Sequence, residues 1–269
     1  MIRRLIATFT ILFLAGPASA ETAKAPAAMT AAPATLPPFD CAVVDNACMA
    51  KYMAELAKVI QEKDWHDKVL REAAKFMTAA GMWQESLNLI PQIYNEDTKA
   101  MTIRGIGMAL ADKNLQQPEL IAAFEKLMQA ATTITTEASN AVAVTYVAMG
   151  QAEAGLGDEA LKTAALMTNA ALRNKAYGEI AETHAKKAHF ADIPKALAKI
   201  DDLSFKDKYA HRCVEVLTSS HHIEQAVETA KLISDPYKKA SALGLVLERS
   251  EQKKDGAYVP ETSTKTQSQ

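Results

Sequence analysis

Two cysteines near the start of the chain, Cys41 and Cys48, enclose Ala-Val-Val-Asp-Asn-Ala, and the chemistry this spacing offers is a disulfide. In an oxidising compartment such a bond forms and persists. Seven residues along one helix separate two Cα atoms by about 10.5 Å, which exceeds bonding range. The bond therefore requires Cys41 to lie ahead of the helix, in a turn beyond Pro37-Pro38-Phe39-Asp40. Left unbonded, Cys48 is an ordinary core residue. Cys213 stands in Tyr209-x-x-x-Cys213-x-x-Val216, which reads as a buried helical face holding an inert thiol rather than a nucleophile.

Histidine offers metal ligation or acid–base work. His221-His222-x-Glu224 is the one histidine cluster in the sequence. Metal ligands must converge, whereas adjacent side chains at a helix start diverge, so this stretch reads as a solvated turn. His184 and His189 are five apart and are expected on different faces. Asp64-Trp65-His66-Asp67 reads as a helix start, with Asp64 capping, Asp67 favouring the dipole and Trp65 packing. There is no nucleophile elbow, phosphate loop or zinc-protease helix motif. No catalytic, cofactor-binding or metal-ligating residue is assigned, and no cofactor is expected.

What must position these groups is helical. Hydrophobic residues make up 49% and charged residues 23%, with 10 Gly and 10 Pro, the balance of a folded chain. The formal net charge is −2 and no basic block occurs, so nucleic-acid binding through counterion release has no support. A small residue followed by a larger apolar one, then by apolar positions four and seven on from the small one, occurs five times. The pairs are Ser86-Leu87, Ala123-Phe124, Ala160-Leu161, Ala196-Leu197 and Ala226-Val227. Their spacings are 37, 37, 36 and 30. A period in the thirties built from two helices predicts an all-α fold, an α-α superhelix (solenoid) of about six stacked antiparallel helix pairs. One pair cannot cover its own apolar face, so stacked pairs cover each other. The small residue allows close backbone approach, and the larger one fills the groove between pairs.

Turn chemistry agrees with this reading. Gly81, Gly155 and Gly157 stand just before the second helix of a pair, Pro118 and Pro236 at helix starts, and Asp158 and Asp235 where a cap is needed. Twelve helices are expected, over 44–61, 64–80, 82–94, 96–112, 118–134, 136–154, 157–169, 172–188, 192–201, 205–219, 222–233 and 236–249, with no strand.

The repeat resembles the tetratricopeptide family over residues 64–250. In that family a Gly ends the first helix and a small residue follows five positions later, as Gly81 with Ser86 and Gly155 with Ala160. Another small residue sits seven before the Gly position, where Ala74, Ala111 and Ala148 stand here. The family's Trp and Tyr of the first helix and its closing Pro are missing, and His184 and Val214 replace the small residue in the last two units. The resemblance implies a concave face that holds a peptide or partner protein. It carries no ligand-contacting residues over, because the matched positions are packing positions. Soluble lytic transglycosylases also carry a helical superhelix, but Glu85-Ser86 and Glu125-Lys126-Leu127-Met128-Gln129 match only fragments of their catalytic stretches, inside repeat helices.

The ends read differently. Residues 1–20, MIRRLIATFTILFLAGPASA, have the order of a secretory signal peptide: Arg3 and Arg4, an apolar run from Leu5 to Phe13, then Ala18-Ser19-Ala20. Residues 21–38 read as an Ala/Pro-rich flexible spacer, 39–250 as the repeat domain and 251–269 as a disordered polar tail. The expected location is the periplasm, with secretion the alternative, and no transmembrane segment remains after signal cleavage. The leading functional expectation is a non-catalytic scaffold binding a protein or peptide partner in its groove. Lys99, Arg104, Arg173, Lys175, Arg212, Lys238 and Lys239 are the cations available to read acidic groups on such a partner. The alternatives are an enzyme or an enzyme's support domain acting on cell-wall or peptide substrates, and a structural spacer.

Overall fold

The computed structural model describes residues 35–113 and 115–254. The chain falls into two units, Met1–Ala34 and Thr35–Gln269, and every described residue belongs to the second. The leader, the spacer up to residue 34 and the tail from residue 255 lie outside the described residues.

The fold is all-α. Among the described residues twelve α-helices follow one another: α1 (Asn46–Ala57), α2 (Lys63–Ala79), α3 (Trp83–Leu87), α4 (Glu96–Ala111), α5 (Gln117–Ala131), α6 (Glu137–Glu153), α7 (Gly157–Ala165), α8 (Ala170–Lys186), α9 (Ile193–Ala198), α10 (Leu203–Ser219), α11 (Ile223–Lys231) and α12 (Pro236–Lys254). No strand occurs among the described residues. Each expected helix has its counterpart, but α1, α5, α7 and α9 end three or four residues earlier than expected, and two further elements differ. The third stops at Leu87 and resumes as a 3-10 turn over Ile90–Gln92, because Pro91 has no N–H to continue the ladder and pushes its predecessor away from α geometry. The last runs to Lys254, into the stretch read as tail. Pro37, read as spacer, accepts a hydrogen bond from the Tyr52 hydroxyl at 3.2 Å.

Packing is local in sequence. Each even-numbered helix packs on the next even-numbered one, from α2 through α12, and the odd helices fill in beside them. Two devices set this order. The first is the turn from an even helix into the following odd one. Gly81, Gly155, Ala188 and His221 adopt positive φ. In each case the next residue donates back to the even helix, Met82 to Met77, Leu156 to Gln151, His189 to His184 and His222 to Leu217, at 2.8–2.9 Å. This satisfies a carbonyl that the helix end would otherwise orphan.

The second device links the start of one even helix to the start of the next. The Asp67 carboxylate in α2 accepts the backbone N–H groups of Tyr94 and Asn95 ahead of α4. Glu96 accepts those of Thr135 and Thr136 ahead of α6. Asn174 in α8 accepts that of Asp201, and Asp207 in α10 those of Ser234 and Asp235. The even helices therefore run parallel, starts beside starts. Asn95, Asn169, Asp202 and Asp235 then cap the helices they precede.

The two aspartates expected as caps elsewhere do not cap. Asp64 and Asp158 lie inside their helices, whose preceding residues Glu62 and Leu156 make no side-chain cap bond. Both still favour the helix dipole from the first turn.

The core is one continuous cluster, chiefly of Ala, Leu, Ile and Val. Its backbones come closest where side chains vanish. A Cβ on Gly150 would sit 3.0 Å from the Gly107 carbonyl oxygen, and one on Gly178 would fall 2.2 Å from the Tyr209 ring. Thus α6 meets α4, and α8 meets α10, at glycine. The five small positions Ser86, Ala123, Ala160, Ala196 and Ala226 are fully buried. Of their larger neighbours, Phe124 and Leu197 are buried, while Leu87, Leu161 and Val227 are half-buried against the core.

Candidate functional site

The side chains of the even helices differ along the chain in how their charges are used. Towards the end they neutralise one another. Lys187 after α8 bonds Glu153 of α6 at 2.6 Å, which holds its ammonium above the usual range. Arg212 of α10 pairs with Glu182 of α8 at 2.5 Å and lies over the Tyr209 ring. The Tyr209 hydroxyl donates to Glu179, and burial pushes its pKa up.

Between α2 and α4 the pattern changes. A cleft of about 590 Å³ opens there, floored by Phe76, Met101 and Met108. Arg71, Lys75, Arg104 and Lys113 line it, with Glu72 and Asp112 as the two carboxylates. Arg71 is taken by Glu72 at 3.0 Å. Lys75 rests over Phe76, Arg104 stacks 4.7 Å from the Tyr146 ring of α6, and Lys113 donates to the Ala79 carbonyl. Among the described residues no carboxylate lies within ion-pair distance of these last three cations. The site is thus an apolar floor ringed by cations whose partners are aromatic rings and a carbonyl. Such a surface accepts an apolar side chain flanked by anionic groups.

Of the seven cations singled out from the sequence, only Arg104 lines this cleft. Arg173 bonds the carbonyls of Met167 and Thr168 and closes the α8 start. Arg212 is paired as above, and Lys99, Lys175, Lys238 and Lys239 are elsewhere. The sequence reading missed Arg71, Lys75 and Lys113. A signal existed, since Arg71 and Lys75 are four apart on α2 and Arg104 lies one unit later on α4.

The cysteines and histidines are placed as follows. Cys41 and Cys48 are bonded, with Cα atoms 5.8 Å apart, Cys41 preceding α1 and Cys48 inside it. Cys213 is buried, and burial pushes its thiol to about 12. His184 and His189 do not diverge: the positive φ at Ala188 folds the chain back and brings their Nδ1 atoms within 3.5 Å. His184 is fully buried, its Nε2 has no hydrogen-bond partner, and burial lowers its pKa to about 4. His222 packs edge-on against Phe190, with centroids 4.8 Å apart. Trp65, expected to pack, is exposed with Lys68 over its ring, because Asp67 takes the inward position. No group of three metal-ligating side chains converges among the described residues.

Compared with protein-family models, with curated proteins and with solved structures, the chain matches none.

Proposed function

We propose that this protein is a non-catalytic, exported scaffold of tetratricopeptide-like construction that holds a segment of a partner protein in the α2–α4 cleft. The observation that carries this reading is the trio Lys75, Arg104 and Lys113 around an apolar floor, without carboxylate partners among the described residues. A partner's apolar anchor would desolvate against Phe76, Met101 and Met108, and its acidic residues would set register on the rim. The main packing of each helix on helices near it in sequence supports a stacked-pair solenoid. The signal-like leader and the Cys41–Cys48 bond support export to an oxidising compartment, the periplasm first. No helix among the described residues is long and apolar enough to cross a membrane. A buried Cys213 thiol at about 12 and a buried His184 at about 4 are poorly poised for catalysis at neutral pH.

The test is a photo-crosslinking residue placed at Met101 or Met108 in cells producing the whole chain. A discrete adduct is expected, cross-linked through an acidic stretch of the partner. Adduct yield should fall at least about tenfold when Arg104→Glu and Lys113→Glu are combined, since rim charges steer encounter. An adduct insensitive to that reversal, or adducts only with glycan fragments, would replace this reading with the spacer or the enzyme-support reading.

A further inference from the structure

A second cleft lies on the odd helices, between α9 and α11, with a volume of about 770 Å³. Its origin is a break in the turn rule described above. At three of the four positive-φ turns the residue that donates back is also the one that immediately precedes the next odd helix: Met82, Leu156 and His222. At the fourth, His189 donates back but Phe190, Ala191 and Asp192 intervene before α9 begins at Ile193. The late start leaves α9 only six residues long, against nine for α7 and for α11. Two of the inserted residues, Phe190 and Ala191, line the cleft, facing Ile223, Val227 and Leu232. Phe190 is held at its edge by His222. A local exception that presents an aromatic ring to an open apolar cleft is where function is expected to reside.

The lining carries charge of one sign. Glu224 and Glu228 are its ionisable groups, and no lining residue is cationic. Lys231 reaches Glu228 from outside, but both side chains are more than half exposed, so the pair is screened and exchangeable. The walls are helices, with no sheet edge to accept an extended peptide. An extended backbone in this apolar cleft would leave N–H and C=O groups unpaired, whereas a helix satisfies its own.

We propose that the α9–α11 cleft docks a cationic amphipathic helix from a partner protein, its apolar stripe on Phe190, Val227 and Leu232 and its lysines or arginines on Glu224 and Glu228. This surface is separate from the α2–α4 cleft and of opposite charge, so the chain would join two partners of different chemistry.

The probe is a fluorescent helical peptide of leucine and lysine in amphipathic order, about five turns long, with a matched leucine–glutamate peptide. Both are titrated against the full chain by anisotropy. The leucine–lysine peptide is expected to bind, and the leucine–glutamate peptide to bind at least about tenfold more weakly. Combining Glu224→Lys with Glu228→Lys, both exposed and tolerant of change, should invert that preference. Val227→Arg should abolish binding of the leucine–lysine peptide. Absence of binding to the native chain, or a preference left unaltered by the charge reversal in a variant whose circular dichroism matches the parent, overturns the proposal. Neither outcome bears on the α2–α4 cleft, whose crosslinking test is independent.

Discussion

A single buried imidazole ties stability to pH. His184 sits at the end of α8 against His189, near Asp192 and Lys195 around α9, and 3.3 Å from where a Cβ on Gly157 would be. Burial dominates these influences and lowers its pKa from 6.5 to about 4. A lowered histidine pKa means the folded state favours the neutral ring. Its stability is therefore full above the unfolded value and is lost as pH falls through the window between 6.5 and about 4. The loss is up to about 3 kcal/mol at 1.36 kcal/mol per unit. His184→Gln should flatten the urea-derived stability profile across that window relative to the parent. Glutamine is the residue buried at the equivalent place one turn motif earlier, Gln151, four positions before the positive-φ Gly155. The glycine at 178 gives a second prediction. Gly178→Ala drives a methyl into the Tyr209 ring and should cost about 1–3 kcal/mol in a urea melt, despite the better helix propensity of alanine. Neither feature was legible from the sequence. The fold-back that joins His184 to His189 needs Ala188 at positive φ, a conformation that alanine does not advertise.

The links between even helices put energy into particular carboxylates. Burial works to raise the Asp207 carboxyl, but the N–H groups of Ser234 and Asp235 and the Ser234 hydroxyl outweigh it and hold it below the usual range. Asp67 is held low in the same manner, burial being outweighed by Asn95, His66 and Tyr94. Both are depressed carboxylates, so their contribution is present above the unfolded value and lost as pH falls through the folded one. Asp207→Ala removes the acceptor of three donors near α12, the N–H groups of Ser234 and Asp235 and the Ser234 hydroxyl, each bond to the charged carboxylate being worth about 1–3 kcal/mol. Faster amide exchange in α12 than in α2 is the expected signature, and uniform protection across both would contradict it. The sequence reading did find these helices, because their apolar periodicity is strong. It did not find their rhythm. The small residues of the odd helices are spaced unevenly, 36 then 30 from Ala160 to Ala226, yet the caps Asn169, Asp202 and Asp235 ahead of the even helices fall 33 apart. The unevenness is the delayed start of α9, taken up by the shortness of α9 itself, since it ends as far ahead of α10 as α7 ends ahead of α8 and α11 ahead of α12. Asp67 read as a dipole residue because its partners lie 27 and 28 positions downstream, beyond any local pattern.

At the scale of the whole domain, the amino-terminal end is closed by covalent chemistry where the far end is closed by a longer helix. The Cys41–Cys48 bond, with Phe39 edge-on to Tyr52 at 4.9 Å, holds the first segment on α1. Closing so short a loop is worth about 2–3 kcal/mol by chain entropy. Reductant should therefore speed amide exchange in α1 while leaving α8 and α10 unchanged, and a global loss of protection would refute local closure. The possibility of this bond was legible from spacing and redox chemistry. The clefts were not, because whether a cation such as Lys75 or Arg104 meets a carboxylate depends on which helices become neighbours.

Every inter-helix hydrogen bond between even helices described above joins one helix to its immediate successor, and none skips a rung. Pulled from its two ends, such a chain would not rupture as a block. It would peel, one rung at a time, and the tension on a bound partner would depend on how many rungs stood between that partner and the point of pull.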